Sequence, residues 1–152
     1  ERNRHLLYRD TVTVDAEVRA TYYWQEYIVQ MKLGADYSQN DGGAQAAFLV
    51  GKAWQARNWN FHGLTGVHWY SRQRNEYLWA VSDQEATERF PAYKARSAIN
   101  YSIEVGATYP LSEHWVTRAR AVAFMWDKSI ADSPLAASDW AGGVETSISY
   151  VF

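Results

Sequence analysis

A strict polar/apolar alternation over residues 11–22 constrains the fold more than any other feature of the chain. Its even positions read Val, Val, Ala, Val, Ala, Tyr, and its odd positions read Thr, Thr, Asp, Glu, Arg, Thr. A strand sends alternate side chains to opposite faces, whereas a helix would spread these residues around its circumference. The stretch is longer than a typical soluble strand of about 5–6 residues and suits a tilted membrane strand, which needs about 9–11. It therefore predicts a strand that crosses a membrane.

The alternation recurs and predicts seven strands in all. The six further segments, of which the second and the fifth are less cleanly sorted, are 26–37, 44–57, 59–69, 98–109, 114–127 and 143–152. The connections predicted to be short are 23–25, 57–58 and 110–113; the long ones are 72–94 and 128–140, and 39–43 is intermediate. All three prolines are expected in connections, and Ser82-x-x-Glu85 and Ser133-Pro134 each resemble a helix start. Short turns at one end and long loops at the other are typical of an outer-membrane β-barrel.

The average composition alone leaves a soluble domain open, because the mean hydropathy is -0.45. A barrel also averages to polar, since lipid-facing apolar residues alternate with polar residues of the lumen. The longest uninterrupted apolar run, 121–126, is far shorter than the roughly 20 residues of a membrane helix. The absence of cysteine excludes disulfides and thiolate metal sites, and a net charge of -2 argues against nucleic-acid binding.

Aromatic residues make up 16% of the chain and cluster near the predicted strand ends. We predict two interfacial girdles, as in membrane barrels. At the short-turn end they comprise Tyr22, Tyr23, Trp24, Tyr27, Trp59, Tyr109, Trp115 and Tyr150, and at the other end Tyr37, Trp69, Tyr70 and Trp126. A soluble up-and-down barrel with an internal ligand cavity is the alternative, because alternation does not tell the inside from the outside. Strand length, girdles and loop asymmetry favour the membrane barrel.

The last predicted strand ends in an aromatic residue. Val144, Ile148, Tyr150 and Phe152 share one face of it. A terminal aromatic in this alternation is common in bacterial outer-membrane proteins, where the barrel-assembly machinery reads it. We predict that these four residues form a C-terminal assembly signal.

Several segments, in order along the chain, resemble the MltA-interacting protein (MipA/OmpV) family. They are LGADYSQNDGG (33–43), NEYLWAVSDQEA (75–86), FPAYKARSA (90–98), YPLSEHW (109–115), IADSPLA (130–136) and SYVF (149–152). One departure is Leu78-Trp79-Ala80, where the family usually has Tyr-Gly. The resemblance implies an outer-membrane barrel of a Gram-negative bacterium, longer than this chain. It also implies a scaffold role, linking a murein lytic transglycosylase to a bifunctional penicillin-binding protein in peptidoglycan metabolism.

Strand parity leads to a similar expectation about length. If Phe152 lies in the periplasm, seven strands place residue 11 at the outer surface, whereas closed bacterial barrels have an even strand number and a periplasmic N-terminus. Residues 1–10 are too few and too charged to supply another strand. We therefore expect residues 1–152 to be one all-β domain, the C-terminal part of a larger antiparallel up-and-down barrel.

Charged residues on the polar positions predict ion pairs in the lumen. With Trp24-Gln25 as the centre of the first turn, Glu17 faces Lys32 and Arg19 faces Gln30, while Thr13 faces Asp36. Across the 110–113 turn, Glu104 falls opposite Arg118 or Arg120. We interpret Glu17, Arg19, Lys32, Glu104, Arg118 and Arg120 as a network that rigidifies a narrow barrel. The alternative is a selective pore or a ligand site.

Catalytic signals are weak, so we expect neither an enzyme nor a cofactor. His62 and His68 share a strand face but lie roughly 20 Å apart, at about 3.3 Å per residue, which is too far to share a metal. On a strand, His68 and Ser71 would point to opposite faces and could not interact. If Ser71 lies in the loop instead, the two could form the nucleophile–base pair of a lipid A-modifying hydrolase, which is the third alternative.

The expected contacts are outer-membrane lipid and lipopolysaccharide at one end, and periplasmic cell-wall enzymes or another envelope protein at the other. Basic residues near the long loops, suited to lipopolysaccharide phosphates or to solvation, are Arg72, Arg74, Arg89, Lys94, Arg96 and Lys128. Candidate partner contacts in the short turns are Trp24, Gln25, Asn58, Leu111 and Glu113. A narrow porin-like channel is the alternative function.

Overall fold

The computed structural model describes residues 14–37 and 42–152, which form one antiparallel sheet and two short helices. The strands are β1 (Asp15–Trp24), β2 (Tyr27–Asp36), β3 (Ala44–Ala56), β4 (Trp59–Tyr70), β5 (Ala98–Pro110), β6 (Trp115–Met125) and β7 (Trp140–Tyr150). The helices are α1 (Arg72–Trp79) and α2 (Lys128–Ala131). The predicted all-β class with seven up-and-down strands is confirmed.

Each strand pairs with its neighbours along the chain, in the order β1-β2-β3-β4-β5-β6-β7. Within the described ranges no ladder joins β1 to β7, so the sheet is open and has two edges. None of the helices in the described part of the chain is long and apolar enough to cross a membrane.

The two faces of the sheet differ sharply in chemistry. The apolar face carries large exposed side chains such as Val18 (74% exposed), Phe48 and Ile103 (58% exposed). The polar face carries the charged strand side chains except Lys52, interspersed with the buried apolar residues Leu49 and Leu64. Lys52 lies on the apolar face at the short-turn end, opposite Tyr27. A soluble protein would hide the first surface, whereas lipid solvates it.

The sheet curls with its polar face inside. A cavity of about 400 Å³, here called the lumen cavity, is lined by residues of all seven strands, from Tyr23 of β1 to Glu145 of β7. Glycines on the polar face permit this curvature, because a Cβ at Gly66 would lie 2.5 Å from the Phe48 carbonyl oxygen. At Gly51 a Cβ would overlap the Gly63 carbonyl oxygen.

The first hairpin differs in register from the prediction. Its turn is Gln25-Glu26, one residue later than expected, and Gln25 adopts a left-handed φ of 54°. As a result, Arg19 lies opposite Lys32 and Glu17 lies opposite Gly34, so the predicted facing of Glu17 with Lys32 and of Arg19 with Gln30 is wrong. Asp36 lies opposite Asp15, while Thr13 falls outside the described residues.

Other boundaries also shift. The described part of the first strand ends at Trp24 rather than at residue 22, and residues 11–13 lie outside the described range. The turn predicted at 57–58 is present, with Arg57 at φ 55°. Pro110 is the last residue of β5 rather than part of a connection, which costs little because the strand ends there.

Neither predicted helix start begins a helix. The Ser82 hydroxyl and backbone N–H both donate to the Glu85 carboxylate, yet only a turn follows. Ser133 accepts from the Leu135 N–H, again within a turn. Instead, Ser71 caps α1, where its hydroxyl accepts from the Arg74 backbone N–H, and Asp127 caps α2, where its carboxylate accepts from the Ser129 backbone N–H.

The aromatic girdles lose three predicted members. By strand alternation, Tyr23 and Tyr70 lie on the polar face, and Trp126 stacks on the polar-face residue Phe124 with ring centroids 5.7 Å apart. The remaining girdle residues lie on the apolar face, where pairs such as Trp59 and Tyr109 are in contact.

Candidate functional site

Three charged side chains and one histidine, from four strands, meet in the lumen cavity. Glu104 accepts from Arg120 at 3.4 Å through one oxygen and contacts the His62 Nε2 at 3.1 Å through the other. Arg120 also binds Glu145, which lies directly opposite it on β7, at 2.7 and 3.0 Å. These four residues, the lumen cluster, form one connected chain across β4 to β7.

The backbone register explains why these residues meet. Glu104 lies opposite Val122, not opposite an arginine as predicted, so Arg120 reaches it diagonally. Gly106 of β5 lies directly opposite Arg120 on β6 and directly opposite His62 on β4. A Cβ there would overlap the His62 ring, so this glycine gives the imidazole room to reach Glu104.

The other predicted lumen residues do not join this cluster. Arg118 lines the lumen cavity but forms no ion pair in the described part of the chain. Glu17 pairs with Arg19, two residues along the same strand, at 2.9 Å. Lys32 lies opposite Ala47 and Arg19 and has no carboxylate partner among the described residues. His62 and Glu145, which sequence reasoning left out of the network, belong to the lumen cluster.

A histidine–serine pair also lies on the polar face. The His68 Nε2 is 2.8 Å from the Ser102 hydroxyl on the neighbouring strand, not near Ser71. Ser71 is occupied at the α1 N-cap, where its hydroxyl also accepts from the Ala44 N–H. Ser102 is buried, and His68 has no carboxylate partner in the described ranges to orient its ring. The pair therefore has the geometry of a structural hydrogen bond between β4 and β5.

The two long connections lock together at their end of the sheet. Within the first connection, the buried Asn75 of α1 donates to the Arg96 carbonyl at 2.7 Å. Between the two connections, the Ser133 hydroxyl donates to the Trp79 carbonyl at 2.6 Å. The Tyr93 hydroxyl donates to the Ser129 carbonyl at 3.1 Å. The pKa of Tyr93 is raised, mainly by burial and to a smaller extent by the nearby Asp132 carboxylate.

Two of the basic residues near these connections form ion pairs with carboxylates. Arg74 makes a bidentate pair with Asp15 at 2.6 and 2.8 Å, and Arg72 pairs with Glu76 at 2.8 Å, one helical turn away. Arg74 therefore joins α1 to the edge strand β1. Such pairing leaves less of the predicted positive surface available to an anionic ligand.

The short-turn end presents a mixed aromatic and polar surface. Trp24 and Leu111 are more than half exposed. Glu26 in the first turn pairs with Lys52 of β3 at 2.8 Å. The 111–114 turn is tied to the last residues, because the Val151 N–H donates to the His114 carbonyl at 2.8 Å. Asn58 lies in the β3–β4 turn beside Arg57.

The acidic and histidine side chains of the described residues do not gather in larger groups. No group of three or more His, Cys, Asp or Glu side chains among them is placed to hold a metal ion. His62 binds Glu104 and His68 binds Ser102, so the two histidines on β4 have separate partners.

A curled antiparallel sheet with strands of 10 to 13 residues, an apolar outside and a charged inside defines a transmembrane β-barrel type of protein. The family model described as MltA-interacting protein MipA matches residues 7–152. The chain belongs to this family, and its place is the outer membrane of a Gram-negative bacterium.

The chain is also similar in sequence to individual proteins with related names. The MltA-interacting protein of Escherichia coli (strain K12) is 28% identical over 155 residues, which cover 98% of this chain and 60% of the relative. The outer membrane protein OmpV of Vibrio cholerae is 28% identical over 82 residues, which cover 53% of this chain and 32% of OmpV. The chain thus spans about 60% of the length of the MltA-interacting protein it matches. No solved structure matches it.

Proposed function

We propose that this protein is a non-catalytic outer-membrane scaffold that brings a murein lytic transglycosylase together with a penicillin-binding protein. The observation that carries the proposal is the family match over residues 7–152, together with the name MltA-interacting protein of its relatives. A scaffold needs a rigid body with a protein-binding surface and needs no catalytic constellation.

The short-turn end is the surface that we assign to the partner. Trp24 and Leu111 supply exposed apolar anchors, and Gln25, Asn58 and Glu113 supply polar groups around them. Aromatic anchors with polar neighbours are the usual make-up of protein interfaces. The turns are tight and tied to the sheet, so little conformational entropy is lost when a partner binds.

The test is partner capture by variants of these turns. Trp24→Ala combined with Leu111→Ser is expected to weaken binding to the purified transglycosylase at least tenfold, because each removes an apolar anchor. A matched control replaces Leu78 in α1 with serine, since Leu78 is also exposed but lies at the opposite end. Equal capture by the turn variant and the control would contradict this assignment of the surface.

A narrow channel is the second candidate, and the lumen cavity of about 400 Å³ favours it. Arg118 lines that cavity without an ion-pair partner in the described part of the chain, so its charge remains available to passing anions. In planar bilayers the lumen cluster should restrict the current to a small value. Arg118→Glu should then shift any residual selectivity from anions toward cations, and an unchanged reversal potential would count against a conducting lumen.

Lipopolysaccharide contact at the long-connection end would support anchoring in the membrane. Lys94, Arg96 and Lys128 lie in that region and have no ion-pair partners among the described residues. Replacing all three with glutamine should weaken binding to lipopolysaccharide vesicles but leave binding to phosphatidylethanolamine vesicles unchanged. Equal losses on both vesicles would point to a general effect on the fold.

A further inference from the structure

A cleft of about 290 Å³ at the long-connection end gathers aromatic side chains that the proposed functions do not use. Three of the eight tryptophans of the chain, Trp79, Trp126 and Trp140, line it together with Phe90. The other lining residues are Arg89, Leu135, the small residues at 136–138 and Ala141. We call it the aromatic cleft.

The walls of the aromatic cleft are held in place before any ligand arrives. The Ser133 hydroxyl binds the carbonyl of Trp79 at 2.6 Å and so fixes the end of α1 to the 132–139 loop. The Trp126 backbone N–H donates to the Asp139 carbonyl at 2.8 Å, and the Trp126 ring stacks on Phe124 at an interplanar angle of 10°. A preformed pocket spares a ligand the cost of ordering its walls.

A single charge lies at the aromatic cleft. Arg89 is the one charged side chain among its described lining residues, and no carboxylate lines it. The Arg89 guanidinium carbon lies 5.7 Å from the Phe90 ring centroid, in cation–π contact. Reciprocal backbone hydrogen bonds between Thr87 and Phe90, at 2.9 and 3.1 Å, close the turn that carries Arg89. The exposed Arg89 side chain thus lies beside the Phe90 wall of the aromatic cleft, and it has no ion-pair partner in the described part of the chain.

We propose that the aromatic cleft binds a small apolar anion, namely a single flat ring that carries one carboxylate. The ring would stack on the tryptophan faces, and the carboxylate would accept from the Arg89 guanidinium, which suits the planar geometry of carboxylates. The volume lies at the lower end of ligand pockets, about 300 Å³, and so fits a one-ring ligand. The scarcity of polar groups disfavours a heavily hydroxylated sugar, whose hydrogen bonds would be left unmade.

The test measures binding of benzoate and of its neutral counterpart, benzamide, to the protein in lipid nanodiscs, with empty nanodiscs as the baseline. Tryptophan fluorescence reports binding, because three indoles line the aromatic cleft. Benzoate is expected to bind about tenfold or more tightly than benzamide, since a charge-assisted hydrogen bond contributes that much. Equal affinities, or no benzoate signal above the baseline, would overturn the proposal.

Two variants locate the site. Arg89→Gln should remove the preference for benzoate while leaving benzamide binding unchanged. The matched control Lys94→Gln removes a cation outside the aromatic cleft and should keep the preference. Ala136→Trp should fill the aromatic cleft and abolish both signals. A preference that survives Arg89→Gln, or one lost in Lys94→Gln, would show that the anion binds elsewhere. None of these readouts depends on capture of a cell-wall enzyme.

Discussion

Replacing Glu104 with glutamine tests whether the lumen cluster stabilises the sheet. Only 17% of the Glu104 side chain is exposed, and it contacts both His62 at 3.1 Å and Arg120 at 3.4 Å. The substitution keeps the shape and removes the charge. Arg120, whose side chain is 44% exposed, retains Glu145 at 2.7 Å, so the substitution leaves no cation without a partner. We therefore expect a loss of about 1.5–2 kcal/mol in the free energy of unfolding, typical of a hydrogen bond to a charged group.

Glu17→Gln is the matched control. Glu17 also pairs with an arginine on the polar face, at 2.9 Å, but its side chain is 37% exposed and the pair lies within one strand. Exposed pairs of this kind contribute little, so we expect a loss of at most about 0.5 kcal/mol. The difference between the two variants isolates the contribution of the partly buried cluster.

The assay is equilibrium unfolding by urea in lipid vesicles, followed by tryptophan fluorescence and by the mobility of unboiled samples on gels. Combining Glu104→Gln with Arg120→Gln in a double-mutant cycle should give a coupling energy of about 1 kcal/mol, because the two residues are in contact. A Glu104→Gln loss no larger than that of Glu17→Gln, or a coupling energy of zero, would refute the view that the cluster stabilises the sheet.

Three further expectations concern curvature, pH and assembly. Gly66→Ala should cost about 2–3 kcal/mol in urea unfolding, because its Cβ would meet backbone atoms of β3, whereas Gly143→Ala, which meets nothing within 4 Å, should cost far less. The pKa of Tyr93 is raised, so its neutral hydroxyl stabilises the loops at every pH below the ordinary tyrosine pKa of about 10. This stabilisation is lost as the pH rises through the raised pKa of Tyr93. Trypsin cleavage of the loops should therefore increase at high pH in the parent protein but not in Tyr93→Phe. Phe152→Ala should lower the amount assembled in cells without lowering stability in vesicles, since Phe152 is fully exposed; an equal loss of both would contradict its role as an assembly signal.

The strands themselves were predictable because alternation is a local property. Residues that face lipid and residues that face the lumen follow each other along one strand, so the pattern is visible without any knowledge of the neighbours. The resemblance to the MipA family was likewise readable from short segments in order, and the family model confirms it.

The strand register and the helix positions were harder to predict from the sequence. The first turn depends on Gln25 adopting a φ of 54°, a conformation for which the sequence shows no glycine or asparagine signal. When that turn shifts by one residue, the partner of every β1 residue shifts by two positions along β2, so Glu17 lies opposite Gly34 and not Lys32. Helix α1 has no amphipathic pattern and owes its place to tertiary bonds, such as the one from Asn75 to the Arg96 carbonyl.

The sequence by itself thus determined the class of protein, the number of strands and the chemistry of the two faces, because these follow from local alternation. Only the tertiary structure decided which charges meet and which aromatic rings form a cleft. Glu104 reaches Arg120 across a diagonal, and Trp79, Trp126 and Trp140 converge from three separate segments. Such contacts depend on register and on how the loops pack, which are long-range properties that no short stretch of sequence encodes.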